Sequence, residues 1–336
     1  MIFILVLFAT ICVILLAFCT CKGKVSPNTF GNSIGTVHTI KAMKEYDFSS
    51  TFKRDGIEFI SSSPCIMQHN KHKNHYLMNI RYVNYTMLKG PPFYILHSEN
   101  ISSLNKCLHL DGNFNVLKDE HMNYGSNVLQ RTGKYRGVED IRIFMHNDII
   151  YCIGTAQRSK GNLGLFFGKY NIPTAITGDD LNLESATKCE KNWSYIPDET
   201  KIQFVYSWHP LTIIEKERDS YNVIVRRRKE MPKFFTRARG STSGFLYKNE
   251  IWFVIHFSAS RDGHGRKYYH SLSVFDKNMD LKRFSKIFTM EEEDIEFVLG
   301  LVVEDNRIIL SYSTWDKSSK VKIYDKRVFS ELMNFP

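Results

Sequence analysis

The chain lacks the short motifs that mark metal, nucleotide or serine-hydrolase sites. Its 336 residues contain no metal-ligand spacing, no glycine-rich phosphate loop and no Gly-x-Ser-x-Gly turn. Signatures of helix-turn-helix, zinc-finger and aromatic RNA-binding modules are missing as well, so we expect no nucleic-acid partner. The sequence therefore predicts no metal and no cofactor, and acid and base chemistry is what remains.

Cysteine is scarce and widely spread. Three of the seven cysteines lie in the N-terminal apolar segment, and the others are Cys65, Cys107, Cys152 and Cys189. No spacing among these four suggests a zinc site. Cys152 stands within an apolar run, which predicts a small core residue.

Acidic residues are outnumbered by basic ones, 35 to 45, which gives a net charge of +10. This excess fits an anionic partner such as nucleic acid, a phosphorylated sugar or an acidic membrane surface, and charge alone does not choose among them. Nucleic-acid binding through this charge is the weakest of these alternatives. The densest basic run, 226–229, is predicted to be a solvated loop, with contact to an anion as the alternative.

One long apolar run stands apart from the rest of the chain, from Met1 to Phe18. It has no basic start, and its length approaches a membrane span. We therefore predict an uncleaved transmembrane signal anchor over 1–21 and a linker and lead-in over 22–57, in a single-pass protein of the secretory pathway or a viral envelope. The orientation stays open, because two lysines after the run favour a cytosolic side whereas the sequons at Asn84, Asn100 and Asn192 suit a lumen.

Long amphipathic helices are absent, and the chain instead repeats a short apolar run, a polar turn and a second apolar run. The second runs begin near Tyr76, Ile149, Ile202, Ile251 and Ile308. This spacing is typical of one four-stranded blade per repeat. The sequence predicts an all-β, five-bladed β-propeller over 58–336, behind an N-terminal transmembrane helix. A pair of β-sandwiches is the alternative.

The repeat also predicts where polar side chains meet. The ends of the second runs carry Arg81 and Asn84, Thr155 and Gln157, Ser207 and His209, His256 and Ser258, and Tyr312 and Asp316. If these runs are equivalent strands, their ends converge at one end of a central channel. We expect a ligand site there, with ordinary loop polarity as the alternative.

The segment 137–144 places Glu139, Asp140 and Arg142 at the start of a predicted hairpin whose turn follows at 146–148. A carboxylic acid that protonates a glycosidic oxygen, beside cations that hold phosphate, would use such residues. Three tryptophans lie near further charged groups and are candidate sugar platforms, with a core position as the alternative: Trp193, Trp208 and Trp315.

Several segments together resemble a known family. They are 79–85, 137–144, Cys189-Glu-Lys-Asn-Trp193, Arg239-Gly-Ser241, and 296–301 followed by Ser311-Tyr312. In this order they are similar to the motifs of five-bladed propellers related to glycoside hydrolase family 130, the mannoside phosphorylases, and to glycosyltransferase-like relatives, some encoded by large DNA viruses. The resemblance spans about 58–325.

This resemblance implies roles for individual residues. Asp140 matches the aspartate of the family's Glu-Asp-Pro-Arg motif and is the expected general acid, although Ile141 replaces the proline. With the strand-end residues and the tryptophan pattern described above, the expected substrate-binding residues are Arg81, Asn84, Glu139, Arg142, Glu190, Lys191, Trp193, His209, Arg239, His256, Tyr312 and Asp316. Among them Arg81, Arg239 and His256 are the expected anion contacts. The family's glycine-rich stretch is bulkier here, at 239–243. A structural carboxylate that pairs with Arg142 is the alternative for Asp140.

Together these observations predict a membrane-anchored protein that transfers or phosphorolyses a glycosyl unit, mannosyl by resemblance, and whose partner is a carbohydrate or sugar phosphate. The alternative is a glycan-binding or structural viral envelope protein that keeps the propeller without turnover.

Overall fold

The computed structural model describes residues 36–334, apart from 70–73, 91–92, 126–127, 129–132, 159–161, 173–174, 185–186, 188 and 262–264. The predicted anchor at 1–21 lies outside these residues. Within the described ranges, no helix is both long and apolar enough to cross a membrane.

Strands dominate the fold, and most of them form five consecutive antiparallel groups. Group 1 contains β4 (Ile57–Gln68), β5 (Tyr76–Val83), β8 (Ile101–Leu110) and β9 (Val116–Tyr124). Group 2 contains β11 (Val138–His146), β12 (Ile149–Gln157), β13 (Leu163–Asn171) and β14 (Ala175–Asp180). Group 3 contains β15 (Ser194–Ile196), β16 (Gln203–Trp208), β17 (Leu211–Lys216) and β18 (Val223–Lys229).

Group 4 contains β20 (Phe245–Tyr247), β21 (Glu250–Arg261), β22 (Gly265–Asp276) and β23 (Leu281–Ser285). Group 5 contains β2 (Lys44–Asp47), β25 (Glu296–Val303), β26 (Arg307–Thr314) and β27 (Lys320–Asp325). Short strands complete the sheets: β1 (His38–Thr39), β3 (Thr51–Arg54), β6 (Tyr85–Met87), β7 (Tyr94–Leu96), β10 (Tyr135–Arg136), β19 (Arg239–Gly240), β24 (Phe288–Thr289) and β28 (Met333–Asn334). A 3₁₀ helix covers Lys233–Arg237, and α1 covers Lys326–Leu332.

The predicted all-β class and the strand-turn-strand repeat are confirmed. The second strands of the five groups begin at residues 76, 149, 203, 250 and 307, within one residue of the predicted starts. Some hairpin turns contain two consecutive residues with positive φ, such as Asn147 and Asp148 at +48° and +58°. Two-residue turns of this kind match the twist of the paired strands and favour asparagine and aspartate.

The apolar faces of neighbouring groups pack against each other. Groups 2 and 3, for example, share a core that includes Phe144, Phe167 and Phe204. Another core joins group 5 to group 1, where Ile309 and Val321 are buried with residues of β4 and β5. Each group therefore buries both faces, which explains why its central strands read as continuous apolar runs.

Two expectations differ from the structure. Strand β2 pairs with β27, and β3 pairs with β4, so packed strands begin before residue 58 and part of the predicted linker belongs to the fold. The basic run 226–229 forms most of β18, the last strand of group 3, rather than a loop. Its apolar start at Val223 pairs with β17, and this pairing extends into the charged residues.

Antiparallel pairing places one end of each group at a common edge. The first strand begins opposite the end of the second in group 2, where Val138 pairs with Ala156, and in group 5, where Glu296 pairs with Thr314. In group 4 the short strand β19, which precedes β20, takes this position and pairs Arg239 with His256. We call this the site edge, because the candidate residues described next lie on it.

Candidate functional site

Strand β11 can start beside β8 because residue 137 is glycine. Gly137 has a φ of +82°, and a Cβ there would lie 2.1 Å from the carbonyl oxygen of Ser103. Only glycine tolerates both conditions. A bulge then interrupts the pairing with β12 after Glu139, and Asp140 takes a φ of +50°. The bulge changes the direction of consecutive side chains, so that Glu139 and Asp140 reach the same guanidinium.

That guanidinium belongs to Arg81 on β5. Its Nη1 donates to Oδ1 of Asp140 at 3.0 Å, its Nη2 lies 3.2 Å from Oε1 of Glu139, and its Nε donates to Oγ of Ser103 at 2.9 Å. Burial opposes the charge of Arg81, but its polar neighbours, Tyr85 first and then the carboxyl groups of Glu139, Asp140 and Asp316, raise its pKa well above the ordinary value. Arg81 therefore stays charged and holds both carboxylates in place.

Asp316 is the third carboxylate near Arg81. The Tyr85 hydroxyl donates to its Oδ2 at 2.7 Å, and the Ser62 hydroxyl donates to its Oδ1 at 3.3 Å. Burial raises the pKa of Asp316 above its ordinary value; Arg81 lowers it, and the charge of Asp140 raises it further. Asp316 thus keeps its proton to a higher pH than an isolated aspartate does.

We call Arg81, Glu139, Asp140, Lys191 and Asp316 the acidic cluster. The ammonium group of Lys191 lies 3.8 Å from Oε2 of Glu139, so the cluster has three carboxylates and two cations. The side chain of Asp140 is 21% exposed, against 14% for Glu139 and 4% for Arg81. The Asp140 carboxylate is therefore more accessible to a ligand than Glu139 or Arg81.

Arg142 does not pair with the Asp140 carboxylate, so that alternative is wrong. Its side chain is buried, and its Nη1 donates to the backbone carbonyl of Asp140 at 3.1 Å. The other nitrogens donate to the carbonyls of Ser241 and Gly240 and to Oδ1 of Asn192. Burial lowers the pKa of Arg142, with partial compensation from Asp140. Arg142 stabilises the bulge from within, and its predicted contact with a sugar or phosphate is wrong.

His256 is also buried beneath the site edge. Its Nδ1 lies 2.9 Å from the Ser241 hydroxyl, and burial, followed by the charge of Arg239, lowers its pKa well below 6.5. A neutral imidazole is a poor anion contact, so this prediction is corrected. Arg239 lies opposite His256 in the strand pairing, is partly exposed, and has no ion-pair partner among the described residues.

The bulkier stretch at 239–243 does not simply fill the site. The hydroxyl of Ser241 is used by His256, and the Thr242 hydroxyl accepts a hydrogen bond from the backbone nitrogen of Val254 at 3.0 Å. Both side chains are fully buried. The two side chains therefore stabilise β19 and the residues that follow it from the buried side of the sheet.

Glu190 and Trp193 are structural. Oε1 of Glu190 accepts hydrogen bonds from the backbone nitrogen and hydroxyl of Thr187 at 2.6 and 2.9 Å, and Oε2 accepts one from Trp193 Nε1 at 3.3 Å. Trp193 is 1% exposed and belongs to the core between groups 2 and 3. Trp208 and Trp315 are buried as well. The sugar-platform prediction is wrong for these three rings, since none presents an open face.

Three other predicted residues lie outside the acidic cluster. Asn84 is buried and its amide is used by hydrogen bonds to 98–102, so it is also closed to glycosylation in the folded chain. Tyr312 lies in the core between groups 4 and 5 and donates to the Glu291 carboxylate. His209 is partly buried in the turn between β16 and β17.

Sequence reasoning missed the hydroxyl groups that orient the cluster. Tyr85 and Ser62 bind Asp316, and Ser103 binds Arg81. Serine and tyrosine are common, and nothing in their spacing marks them. Of the strand-end residues predicted to converge, Arg81 and Asp316 are those that the structure brings into the cluster.

A separate cavity lies away from the acidic cluster. It has a volume of about 820 Å³ and is lined by the later parts of the first strands, including Cys65, Ile143, Leu299 and the pair His146 and Tyr195. No member of the acidic cluster lines it. In the same described ranges, no three His, Cys, Asp or Glu side chains are grouped so as to hold a metal.

The chain matches no protein-family model, and no curated protein matches it in sequence. Solved structures do share its fold. A β-1,2-mannobiose phosphorylase from Listeria innocua, in complex with β-1,2-mannobiose, superposes with a TM-score of 0.59 at 12% identity, covering 86% of this chain and 99% of that one.

Two further structures agree. One comes from glycoside hydrolase family 130, the mannoside phosphorylases, which contains glycoside hydrolases that target β-1,2 mannosidic linkages in Candida mannan. This structure superposes with a TM-score of 0.57 at 13% identity, covering 80% of this chain and 84% of that one. The other is a GDP-Man-dependent mannosyltransferase from Leishmania mexicana, with a TM-score of 0.52 at 13% identity and coverage of 85% and 90%. The chain therefore has the fold of the mannoside phosphorylases and related glycosidases.

Proposed function

We propose that this protein is a glycosyl-transferring enzyme that cleaves or forms a mannosidic bond, with Asp140 as the residue that delivers the proton. The observation that carries the proposal is the acidic cluster: a partly exposed carboxylate is held by Arg81 beside a second carboxyl group whose pKa is raised. Paired carboxyl groups in unequal environments are how glycosidases separate acid from base.

Charge explains how the cluster can supply a proton. Its three carboxylates face two cations, so the fully ionised cluster carries a negative charge that favours retention of one proton. In such a coupled system the proton belongs to the group of carboxyls rather than to one residue. The raised pKa of Asp316 favours retention of this proton in the cluster, and Asp140, which is accessible, is the carboxyl group that donates it to the glycosidic oxygen.

The substrate assignment is supported by the fold and by the exposed cations. The structures that share the fold include one in complex with β-1,2-mannobiose and one that depends on GDP-Man. Lys191 and Arg239 are both partly exposed on the site edge. They are the residues we assign to a phosphate or a sugar phosphate, in place of the buried Arg142 and His256.

The architecture belongs to the same proposal. The five antiparallel groups are the five blades of a propeller, and the core that joins group 5 to group 1 closes the ring, with β2 completing the last blade. The apolar segment 1–21 anchors this propeller in a membrane of the secretory pathway or of a viral envelope.

The test uses the purified full chain in detergent with a short β-1,2-mannoside and phosphate, and in reverse with mannose 1-phosphate or GDP-mannose and the same acceptor. Asp140→Asn should lower the rate by at least about 100-fold, the usual effect of losing a general acid. His209→Gln, at the turn outside the cluster, is the control. If wild type forms no product, or if Asp140→Asn equals wild type, the enzyme proposal fails.

A binding protein without turnover is the second candidate. It is favoured by the direct ion pair between Arg81 and Asp140, because this contact stabilises the ionised carboxylate. In that case mannoside binding on a glycan array survives Asp140→Asn and is weakened by Lys191→Ala. Loss of all glycan binding in both variants, together with turnover by the wild type, excludes this candidate.

A further inference from the structure

The exposed end of group 3 contains a basic cleft that is separate from the acidic cluster. The cleft has a volume of about 390 Å³ and lies between group 3 and the turn that follows β22. Its cationic side chains are Lys201, Arg226, Arg227 and Lys277. We use the name basic cleft for these four residues and the space between them.

A bulge in β18 explains why two consecutive arginines reach this space. Ile213 of β17 pairs with Arg227, whereas the next residue, Ile214, pairs with Val225, so Arg226 is an extra residue in the ladder. In a regular strand, neighbouring side chains point to opposite faces. The bulge brings Arg226 and Arg227 to the same cleft, and Arg228 is exposed outside it.

The carboxylates in the cleft do not neutralise its cations. Two acidic residues line the cleft, Asp198 and Glu215. The four cations therefore exceed the carboxylates by two positive charges. Glu215 is already bound by Arg226 at 3.0 Å and lies 3.6 Å from Lys201. Asp198 accepts hydrogen bonds from Thr200 and from the backbone of Lys201.

The surplus charge belongs to two side chains. Arg227 donates from Nη1 to the carbonyl oxygen of Asn278, and this neutral contact leaves its charge uncompensated. Lys277 is exposed and has no ion-pair partner within the described ranges. A guanidinium and an ammonium group that converge on a small cleft, with Gln203 and Thr200 as neutral hydrogen-bonding neighbours, form a receptor for a dianion.

We propose that the basic cleft binds a phosphate or phosphomonoester group through Arg227 and Lys277. No residue of the cleft is a member of the acidic cluster, so this site is independent of the proposed enzyme function. The phosphate can come from a small soluble ester or from a lipid headgroup, and both present the same dianion to the cleft.

The experiment follows the melting temperature of the full chain in detergent as inorganic phosphate replaces chloride at constant ionic strength. We expect phosphate to stabilise the wild type, and the double variant Arg227→Gln with Lys277→Gln to weaken the apparent Kd by about tenfold, as for the loss of two charge-assisted contacts. Arg228→Gln removes a neighbouring exposed charge and is the matched control, which should behave as wild type. All three side chains are exposed, so these variants are expected to fold.

Three results would overturn the proposal. The double variant could keep the phosphate dependence of the wild type, or Arg228→Gln could lose it equally, which would indicate diffuse charge. The dependence could instead be lost in Arg239→Gln, which would place the phosphate at the site edge. Flotation with phosphatidylcholine vesicles, with and without phosphatidic acid, then identifies the source. An increment with phosphatidic acid that the double variant lacks supports a lipid headgroup, and equal flotation alongside phosphate stabilisation supports a soluble ester.

Discussion

Removing Arg81 should destabilise the protein in a way that depends on pH. The guanidinium is 4% exposed and contacts two carboxylates at 3.0 and 3.2 Å. Arg81→Gln leaves the carboxyl groups of Glu139, Asp140 and Asp316 close together, with Lys191 as the remaining cation. Breaking a buried pair by removing one partner costs about 3–5 kcal/mol. Because both carboxylates are partly solvated, we expect about 2–4 kcal/mol here.

The assay is thermal unfolding at a series of pH values. With an unfolding entropy of about 2.1 cal/mol/K per residue, a domain of about 300 residues loses roughly 1.6 °C per kcal/mol, so Arg81→Gln should melt about 3–6 °C below wild type at neutral pH. The gap should narrow in acid, because protonated carboxyl groups no longer repel each other.

Arg54→Gln provides the control, since Arg54 is an exposed arginine whose carboxylate neighbour lies at 4.0 Å. Its free energy of unfolding should change by less than about 0.5 kcal/mol. The reasoning is refuted if Arg81→Gln costs no more than Arg54→Gln, or if its deficit stays constant as the pH falls through the carboxyl range.

Three further predictions concern single residues. Gly137→Ala should lower the free energy of unfolding by about 2–4 kcal/mol in urea titration, because Gly137 has a positive φ and a Cβ there would meet Ser103. Gly90 has open space around it, so Gly90→Ala should change the free energy of unfolding by less than about 1 kcal/mol. Equal costs for the two variants would contradict the packing argument. The pKa of Asp316 is raised in the folded protein, so its contribution to stability is present below its unfolded pKa of 3.8 and is lost as the pH rises through the folded pKa. In thermal unfolding, Asp316→Asn should therefore be more stable than wild type at pH 7, and the two proteins should be equally stable below pH 3.8. The folded pKa of His256 is lowered, so the stability it contributes is present above pH 6.5 and falls in acid; its imidazole NMR signals should show no titration between pH 7 and 6, and a midpoint near 6.5 would contradict its burial.

The fold followed largely from local patterns. Apolar runs such as 251–257, interrupted by turn residues such as Lys248 and Asn249, determine hairpins through backbone geometry that neighbouring residues impose. For this reason the starts of the second strands were predictable to within one residue. The loop predicted for 226–229 is wrong because this segment is stabilised as a strand by pairing with β17, and local composition does not contain that contact.

The site was predictable only in part. The pattern at 139–140 marked the two carboxylates, and the repeat placed Arg81 and Asp316 at the same edge. Polarity alone does not say whether a side chain faces a ligand or the core. Arg142 and Glu190 have the residue types expected of a binding site, yet both are buried in hydrogen bonds to nearby backbone groups and side chains.

The sequence by itself determined the strand repeat and the acidic residues at the start of β11, because both depend on contacts between near neighbours in the chain. Tertiary structure decided which charges meet. Arg81 and Asp140 are separated by 59 residues, and Tyr85 and Asp316 by 231, so their hydrogen bonds exist only after distant groups pack. Burial in that packing, rather than residue type, raises the pKa of Asp316 and lowers the pKa of His256. The same packing decides which polar side chains belong to the acidic cluster and which only stabilise the strands around it.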